Sequence, residues 1–283
     1  MLQVSKKTLN IRGRIVDLSR PLVMGILNTT TDSFFRGSRA NSEDEVIERA
    51  GTMLSEGADL IDIGGYSTRP GAKDISVTEE LDSILTALNA ITKFFPKTVI
   101  SVDTFRSDVA KEAVAAGASL INDVSGGTLD PRMFETVAEL RVPYVLMHMR
   151  GEPQTMNKLT HYDHVVRDIL KDLQTKIAAL RALGIADIIV DPGFGFAKTI
   201  AQNFELLRNL SEFEQLGYPV LAGLSRKSTI YKTLGVAPED ALNGTTVLNT
   251  LALERGASIL RVHDVKQAVE AVKLWSMAGT VRN

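Results

Sequence analysis

The residues best equipped for chemistry in this chain stand at the ends of short apolar runs. They are Asn28, Asp62, Asp103, Asn122 with Asp123, His148, Asp191, Ser225-Arg226-Lys227, and Arg261 with His263. A lone Asp or Asn in such a place serves equally well as a helix N-cap. The set as a whole points to a site, because stability alone gives no reason to converge so many costly polar groups on apolar ground. Asp103, Asn122 and Asp191 supply acceptors and an amide edge, which suit a flat heterocycle carrying adjacent N–H and C=O groups. Arg69, Arg226, Lys227, Arg261 and His263 supply cations; arginine forks fit diphosphate oxygens, and lysine is a compact charge that also reaches a ring carbonyl or nitrogen.

Two loops add to this set. "GGYSTRPGA" (64–72) leaves an apolar run through two glycines, then presents Ser67, Thr68 and Arg69. Glycines let the backbone approach a ligand, and hydroxyls with a guanidinium suit an anion; the alternative is an ordinary turn carrying an arginine. "DPGFGF" (191–196) places Phe194 and Phe196 on a glycine-hinged loop, each ring either a wall for a planar ligand or a core aromatic. Dedicated metal chemistry has little support: His148 and His263 belong to different strand ends, His161 and His164 sit at i, i+3 before a polar helix, and neither HExxH nor a carboxylate cluster occurs. A Mg²⁺ carried in on a diphosphate and touched by one amide oxygen, such as that of Asn28, fits better. "SRKS" (225–228) lacks the glycines of a P-loop, and neither a GxSxG elbow nor a dinucleotide fingerprint is found.

The elements that must position these groups alternate. Strands are expected at Leu22–Asn28, Leu60–Gly64, Val99–Asp103, Leu120–Asp123, Tyr144–His148, Ile188–Asp191, Val220–Leu224 and Ile259–His263. Each is aliphatic without alternation, as in strands buried on both faces. Helical patterns fill the intervals at Glu43–Glu56, Val77–Phe94, Ser107–Ala116, Pro131–Leu140, Asp163–Leu183, Ala201–Leu210 and Ala241–Arg255, and Val265–Met277 closes the chain. A partial repeat runs through EGADLIDIGG (56–65), AGASLINDVSGG (116–127), LGIADIIVDPG (183–193) and RGASILRVHD (255–264), in which a glycine ends a helix just before a strand. Roughly eight such units with no Pro/Gly-rich linker favour a (β/α)8 TIM barrel, in one domain over 1–283, above an open doubly wound sheet. Leu9-Asn10-Ile11 and Ile15-Val16 around Gly13 suit a short N-terminal hairpin over the barrel floor.

Composition narrows the classes. The 283 residues are 44% hydrophobic and 23% charged, ordinary for a soluble globular protein, and a net charge of −2 leaves no footprint for nucleic acid or an anionic membrane. With no cysteine, disulfides, thiolate metal sites and a cysteine nucleophile are excluded, and a reducing cytoplasm is the expected setting. MLQVSKKTLNIRGR has no apolar segment of a secretory signal, and no apolar run approaches the roughly 18 residues of a membrane span.

Together "MGILNTTTDSFF" (24–35), "GGYSTRPGA", "SVDT" (101–104), "IND" (121–123), "LMHMRGEPQTM" (146–156), "DPGFGF", "LSRKS" (224–228) and "RVHDV" (261–265) resemble, in order, the signature blocks of dihydropteroate synthase. The resemblance spans nearly the whole chain. It implies a TIM barrel, usually a homodimer, that joins 6-hydroxymethyl-7,8-dihydropterin diphosphate to p-aminobenzoate in folate synthesis and releases diphosphate. By the same resemblance Asp103, Asn122, Asp191, Phe196 and Lys227 hold the pterin, with Arg261 on or near it. Thr68, Arg69, Arg261 and His263 hold the diphosphate, whose Mg²⁺ touches Asn28. Phe34, Pro70, Lys227 and Ser228 shape the p-aminobenzoate pocket. Asp103, Lys227, Arg261 and His263 are then the catalytic set, acting in an SN1-like cleavage with no protein nucleophile.

Two positions depart from the family pattern: Thr31 where proline is common, and Tyr66 where glutamate is common. Both concern the first two loops, and so p-aminobenzoate or sulfonamide affinity more than the reaction. Two other readings compete. A pterin-binding methyltransferase of related barrel fold needs no diphosphate cradle, and Arg69, Lys227 and the Arg261/His263 pair argue against it. A catalytically silent pterin-binding homologue is separated from an enzyme by diphosphate release.

Overall fold

Runs such as LVMGILN and LIDIG offer no polar face to water, so their backbone bonds are best satisfied by parallel neighbours inside a shell of helices. The computed structural model, which describes residues 6–29, 39–67, 74–152 and 154–280, shows that arrangement. A hairpin of β1 (Thr8–Ile11) and β2 (Arg14–Asp17) precedes the alternating units. These run β3 (Leu22–Asn28), α1 (Arg39–Glu56), β4 (Leu60–Gly64), α2 (Val77–Phe94), β5 (Val99–Asp103), α3 (Ser107–Ala115), β6 (Leu120–Asp123) and α4 (Met133–Leu140). They continue as β7 (Tyr144–Met147), α5 (Val165–Ala182), β8 (Ile188–Asp191), α6 (Ile200–Arg208), β9 (Val220–Ala222), α7 (Ser228–Leu234), α8 (Leu242–Glu254), β10 (Ala257–Val262) and α9 (Val265–Thr280). Strands β3 to β10 pair in chain order, each parallel to the next, and β10 returns to β3 to close an eight-stranded barrel. Among the described residues no helix is long and apolar enough to cross a membrane.

The side-chain period of two along each strand positions the site. Met24, Leu60, Leu120, Val145, Ile189, Leu221 and Ile259 form one apolar layer inside the barrel, and Leu9, Ile11 and Leu18 of the hairpin region plug it from below. Two residues further along, on the same strand face, stand Asp62, Asn122, Asp191 and Arg261. The floor is hydrocarbon and the next layer is polar.

The repeat identified in the sequence is a helix-ending device. Gly57, Gly117, Gly184 and Gly256 all have positive φ, from 84° to 121°, where a side chain is strained. A capping box between Ser76 and Glu79 starts α2, fixing the return of the chain after the 64–73 loop.

Several boundaries differ from those read in the sequence. The strands expected to reach His148, Leu224 and His263 end at Met147, Ala222 and Val262, because their last residues already turn into the loops. The first barrel helix begins at Arg39 rather than Glu43. Helix α7 escapes a periodicity reading altogether, since STIYKTL is about two turns long before Gly235 ends it in the left-handed region.

Candidate active site

Four strands contribute one interlocked cluster. Arg261 of β10 donates from Nε to Asp62 Oδ2 and from Nη2 to Asp103 Oδ2, both at 2.6 Å. Asn122 of β6 donates from Nδ2 to the same Asp62 oxygen at 3.0 Å. Burial, opposed by Arg261 and reinforced by Asp62, Asp123 and Glu80, pushes the Asp103 carboxyl up to about 7. Burial also works against the Arg261 charge, but Asp62 and Asp103 outweigh it and hold the guanidinium above its ordinary range. Behind Asp103, its neighbour Thr104 donates to the buried Glu80 at 2.6 Å, and Arg106 pairs with Glu80 at 2.8 Å, anchoring the end of β5 to α2.

The opposite wall is made by β8, the loop after it, and Lys227. Burial raises the Asp191 carboxyl, against the pull of Lys227; burial likewise lowers Lys227 to about 8, against the pull of Asp191. A Cβ on Gly223 would lie 3.7 Å from Lys227 Nζ and 4.0 Å from Asp191 Oδ2, so that glycine keeps space open between them. Lys227 donates to the Phe194 carbonyl at 2.5 Å, and its ammonium lies 4.7 Å from the centre of the Phe196 ring. The loop itself is drawn inward by Lys198, a buried lysine whose Nζ meets the carbonyls of Gly193 (2.8 Å) and Phe196 (3.0 Å) and Nδ1 of His148 (3.2 Å). Gly193 has φ 74°, and a Cβ there would lie 2.0 Å from the His148 carbonyl oxygen; only glycine lets the two backbones pass.

Thus Asp103, Asn122, Asp191, Lys227 and Arg261 share the polar layer above the barrel floor, with Phe196 beside Lys227. Asn28 closes β3, His263 follows β10 with its backbone N–H on Ser225 Oγ, and Ser228 opens α7. Thr68, Arg69, Pro70, Phe34 and Thr31 lie outside the described residues.

Three groups singled out in the sequence have other work. Arg226, counted there among the cations, gives Nε and Nη2 to Asp264 at 2.9 and 2.8 Å and Nη1 to the carbonyls of Pro238 and Glu239. Its φ of 52° turns it away from Lys227, and it is a strut between loops. Phe194 is a core aromatic, 1% exposed. Asp123 accepts from Tyr144 and from the backbone of Ser125 and Gly127, which braces the β6 loop. Conversely, Asp62 was visible only as one more strand end, and nothing in "GFAKT" signalled that Lys198 turns inward.

Asn28 gives a test of the Mg²⁺ expectation. Among the described residues no group of three His, Cys, Asp or Glu is placed to hold a metal. A Cβ on Gly64, however, would lie 3.3 Å from Asn28 Oδ1, so the glycine leaves room beside that amide oxygen, whereas the nearby Asp103 Oδ2 is engaged by Arg261. That suits a hard cation that brings most of its oxygen ligands with it.

The barrel with a polar layer above its apolar floor matches a known class: the profile of the pterin binding enzyme family fits residues 24–263. The dihydropteroate synthase of Escherichia coli K12 is 42% identical over 265 residues, 93% of either chain. Among solved structures, the Yersinia pestis dihydropteroate synthase in a sulfonamide drug complex superposes with a TM-score of 0.90 at 42% identity, over 97% of this chain and all of that one. The Xanthomonas albilineans enzyme in complex with 7,8-dihydropteroate gives 0.85 at 39% identity, over 97% and 99% of the two chains. The chain belongs to the dihydropteroate synthase family.

Proposed function

We propose that this chain condenses 6-hydroxymethyl-7,8-dihydropterin diphosphate with p-aminobenzoate, forming 7,8-dihydropteroate and releasing diphosphate. The observation that carries this reading is the polar layer of Asp103, Asn122, Asp191, Lys227 and Arg261 directly above an apolar floor. It offers acceptors to an amino-pyrimidinone edge and cations to a ring carbonyl and a leaving diphosphate. The similar Xanthomonas protein was solved with 7,8-dihydropteroate, the product of this condensation.

The chemistry follows from the residues. The pterin ring pushes electrons toward its exocyclic methylene, so the C–O bond to diphosphate breaks ahead of attack. Asp103 and Asp191 stabilise the positive charge that develops on the pterin, while Lys227 orients the ring. Arg261 and His263, with Thr68 and Arg69 of the second loop, hold the departing oxygens. Asn28 would hold a Mg²⁺ brought in with the diphosphate, which would supply positive charge to the leaving group. The p-aminobenzoate nitrogen then adds to the methylene carbon, losing a proton to solvent, from a pocket shaped by Phe34, Pro70, Lys227 and Ser228.

The enzyme acts as a cytoplasmic homodimer in this proposal. The absence of cysteine agrees with a reducing compartment. Leu234, Val247, Leu251, Leu274 and Met277 are exposed on or beside α7, α8 and α9, which pack in succession, and a second copy would cover that apolar surface.

Diphosphate release tests the central claim, measured with Mg²⁺ and the pterin diphosphate, with and without p-aminobenzoate. Release that requires p-aminobenzoate and collapses in Lys227→Ala supports it. Tight pterin binding without release identifies a silent homologue instead.

A further inference from the structure

Asp62 is wholly buried, and no substrate role has been assigned to it. It stands on the inward face of β4, two residues above Leu60 of the apolar floor. One of its oxygens, Oδ2, takes both the Arg261 Nε donor at 2.6 Å and the Asn122 Nδ2 donor at 3.0 Å. The other, Oδ1, has no hydrogen-bond partner among the described residues. Two residues of the polar layer, from strands β6 and β10, are therefore held by one oxygen of a carboxylate that is shut off from solvent.

We propose that Asp62 is a positioning residue that sets the hydrogen-bond polarity of the pterin edge; the inference rests on the pterin-binding reading above. An asparagine amide can present oxygen or NH2 by turning about its last bond, and the two faces have opposite meaning to a heterocycle. A carboxylate oxygen already receiving a guanidinium N–H can only accept. It selects the NH2 of Asn122 and thereby turns the amide oxygen away from itself, as an acceptor for ring N–H groups. The same oxygen fixes Arg261. With Nε on Asp62 and Nη2 on Asp103, one edge of the guanidinium is spanned by two carboxylates, and Nη1 is left as the end directed to a ligand.

The consequence is a split between the two halves of the substrate. In Asp62→Asn the residue at 62 carries both a donor and an acceptor, so the Asn122 amide is no longer locked, and Arg261 is relieved of one competing charge. Calorimetric titration with 6-hydroxymethylpterin and, separately, inorganic diphosphate reads both. We expect pterin affinity to fall at least tenfold while diphosphate affinity stays within twofold or tightens. The exchanged pair Asp62→Asn with Asn122→Asp restores an acceptor toward the pterin and a donor–acceptor contact between 62 and 122, so it should recover much of the lost pterin affinity. Equal loss of both ligands, or no loss of pterin binding, overturns the proposal. A wild type that binds no pterin overturns the underlying reading as well, and is distinguishable because it fails before any substitution. An independent measurement on the wild type covers a variant that does not fold. The Asn122 side-chain NH2, followed by NMR, should be protected from exchange without ligand and unchanged when 6-hydroxymethylpterin is added; protection gained only with the pterin overturns the assignment.

Discussion

Asp103 and Arg261 meet at 2.6 Å over two intervening strands, although 158 positions separate them in the chain. Their contact places a carboxyl raised to about 7 beside a guanidinium that stays charged; Lys227 of the same layer is lowered to about 8, and burial also raises Asp191. The proposed reaction needs Asp103 ionised and Lys227 protonated, so kcat/KM for the pterin diphosphate should rise with pH through about 7 and fall above about 8. Asp103→Asn should lower the rate by about 10²-fold and abolish the rising limb. Lys227→Arg should move the falling limb beyond the measurable range, because arginine stays charged. The stability trend runs the other way. Between the unfolded carboxylate value of 3.8 and about 7 the folded chain holds the Asp103 proton more tightly, so this residue's contribution to stability declines as pH rises across that window. A flat rate profile between pH 6 and 9, under conditions where chemistry limits, would refute these assignments.

Lys198 supports the site without facing the polar layer. Its three acceptors match the three donors of an ammonium, and two of them are carbonyls of the loop that carries Phe196 and receives Lys227. Lys198→Met fills similar space but leaves the Gly193 and Phe196 carbonyls without this partner, at about 1–3 kcal/mol each. The midpoint of thermal unfolding should drop by about 5 °C or more. Once the loop relaxes, KM for p-aminobenzoate should rise by more than kcat falls. A variant with wild-type melting and kinetics would show that the loop holds its shape without this lysine.

The fold was legible because each barrel strand is a short aliphatic run, and the site because the polar residue comes two positions after a floor residue. Leu60 to Asp62, Leu120 to Asn122, Ile189 to Asp191 and Ile259 to Arg261 all follow that spacing. What escaped depends on turns that composition does not announce. Arg226 and Lys227 are adjacent cations that diverge because Arg226 adopts a left-handed conformation and meets Asp264. Lys198 lies in the loop ahead of the helix expected from Ala201, and only the folded loop supplies its acceptors. Asp62 looked like an N-cap candidate because its role is to hold two other side chains, which no local pattern encodes.

His148 makes the fold sensitive to acid. Burial, reinforced by the charges of Lys198, Lys176 and Arg150, lowers its imidazole from 6.5 to about 2, so it remains neutral and Nδ1 accepts from Lys198. The unfolded chain binds a proton here below pH 6.5 and the folded chain does not. Stability from this residue is thus full above 6.5 and is lost as pH falls toward 2. His148→Gln keeps an acceptor for Lys198 without a basic nitrogen. Scanning calorimetry from pH 7.5 to 4 should show a shallower decline of the melting temperature for the variant than for wild type. Parallel curves would place the acid lability elsewhere.

Tyr66, the described departure from the family pattern, ties together three segments around the mouth. Its hydroxyl donates to Asp74 Oδ1 at 3.1 Å, just before α2, and accepts from Gln154 Nε2 at 3.2 Å in the loop after β7. Its ring meets Phe105 edge-on at 5.0 Å, and the Arg106 guanidinium lies 5.3 Å from it. Tyr66 and Asp74 bracket the second loop in the sequence, so their bond fixes where that loop departs and returns. Tyr66→Phe keeps the ring and removes both hydroxyl contacts, each a partly exposed bond of about 0.5–1.5 kcal/mol at most. Losing both costs about 3 kcal/mol at most, so the melting temperature should fall by no more than about 10 °C. The kinetic effect should be selective, because the loop brings Pro70 to the p-aminobenzoate pocket in the proposed reaction: KM for p-aminobenzoate should rise about threefold to tenfold, with KM for the pterin diphosphate within twofold. Steady-state kinetics with each substrate varied in turn decides it. An unchanged p-aminobenzoate KM, or an equal rise in both, would mean that the hydroxyl braces the surface without shaping the second substrate's pocket.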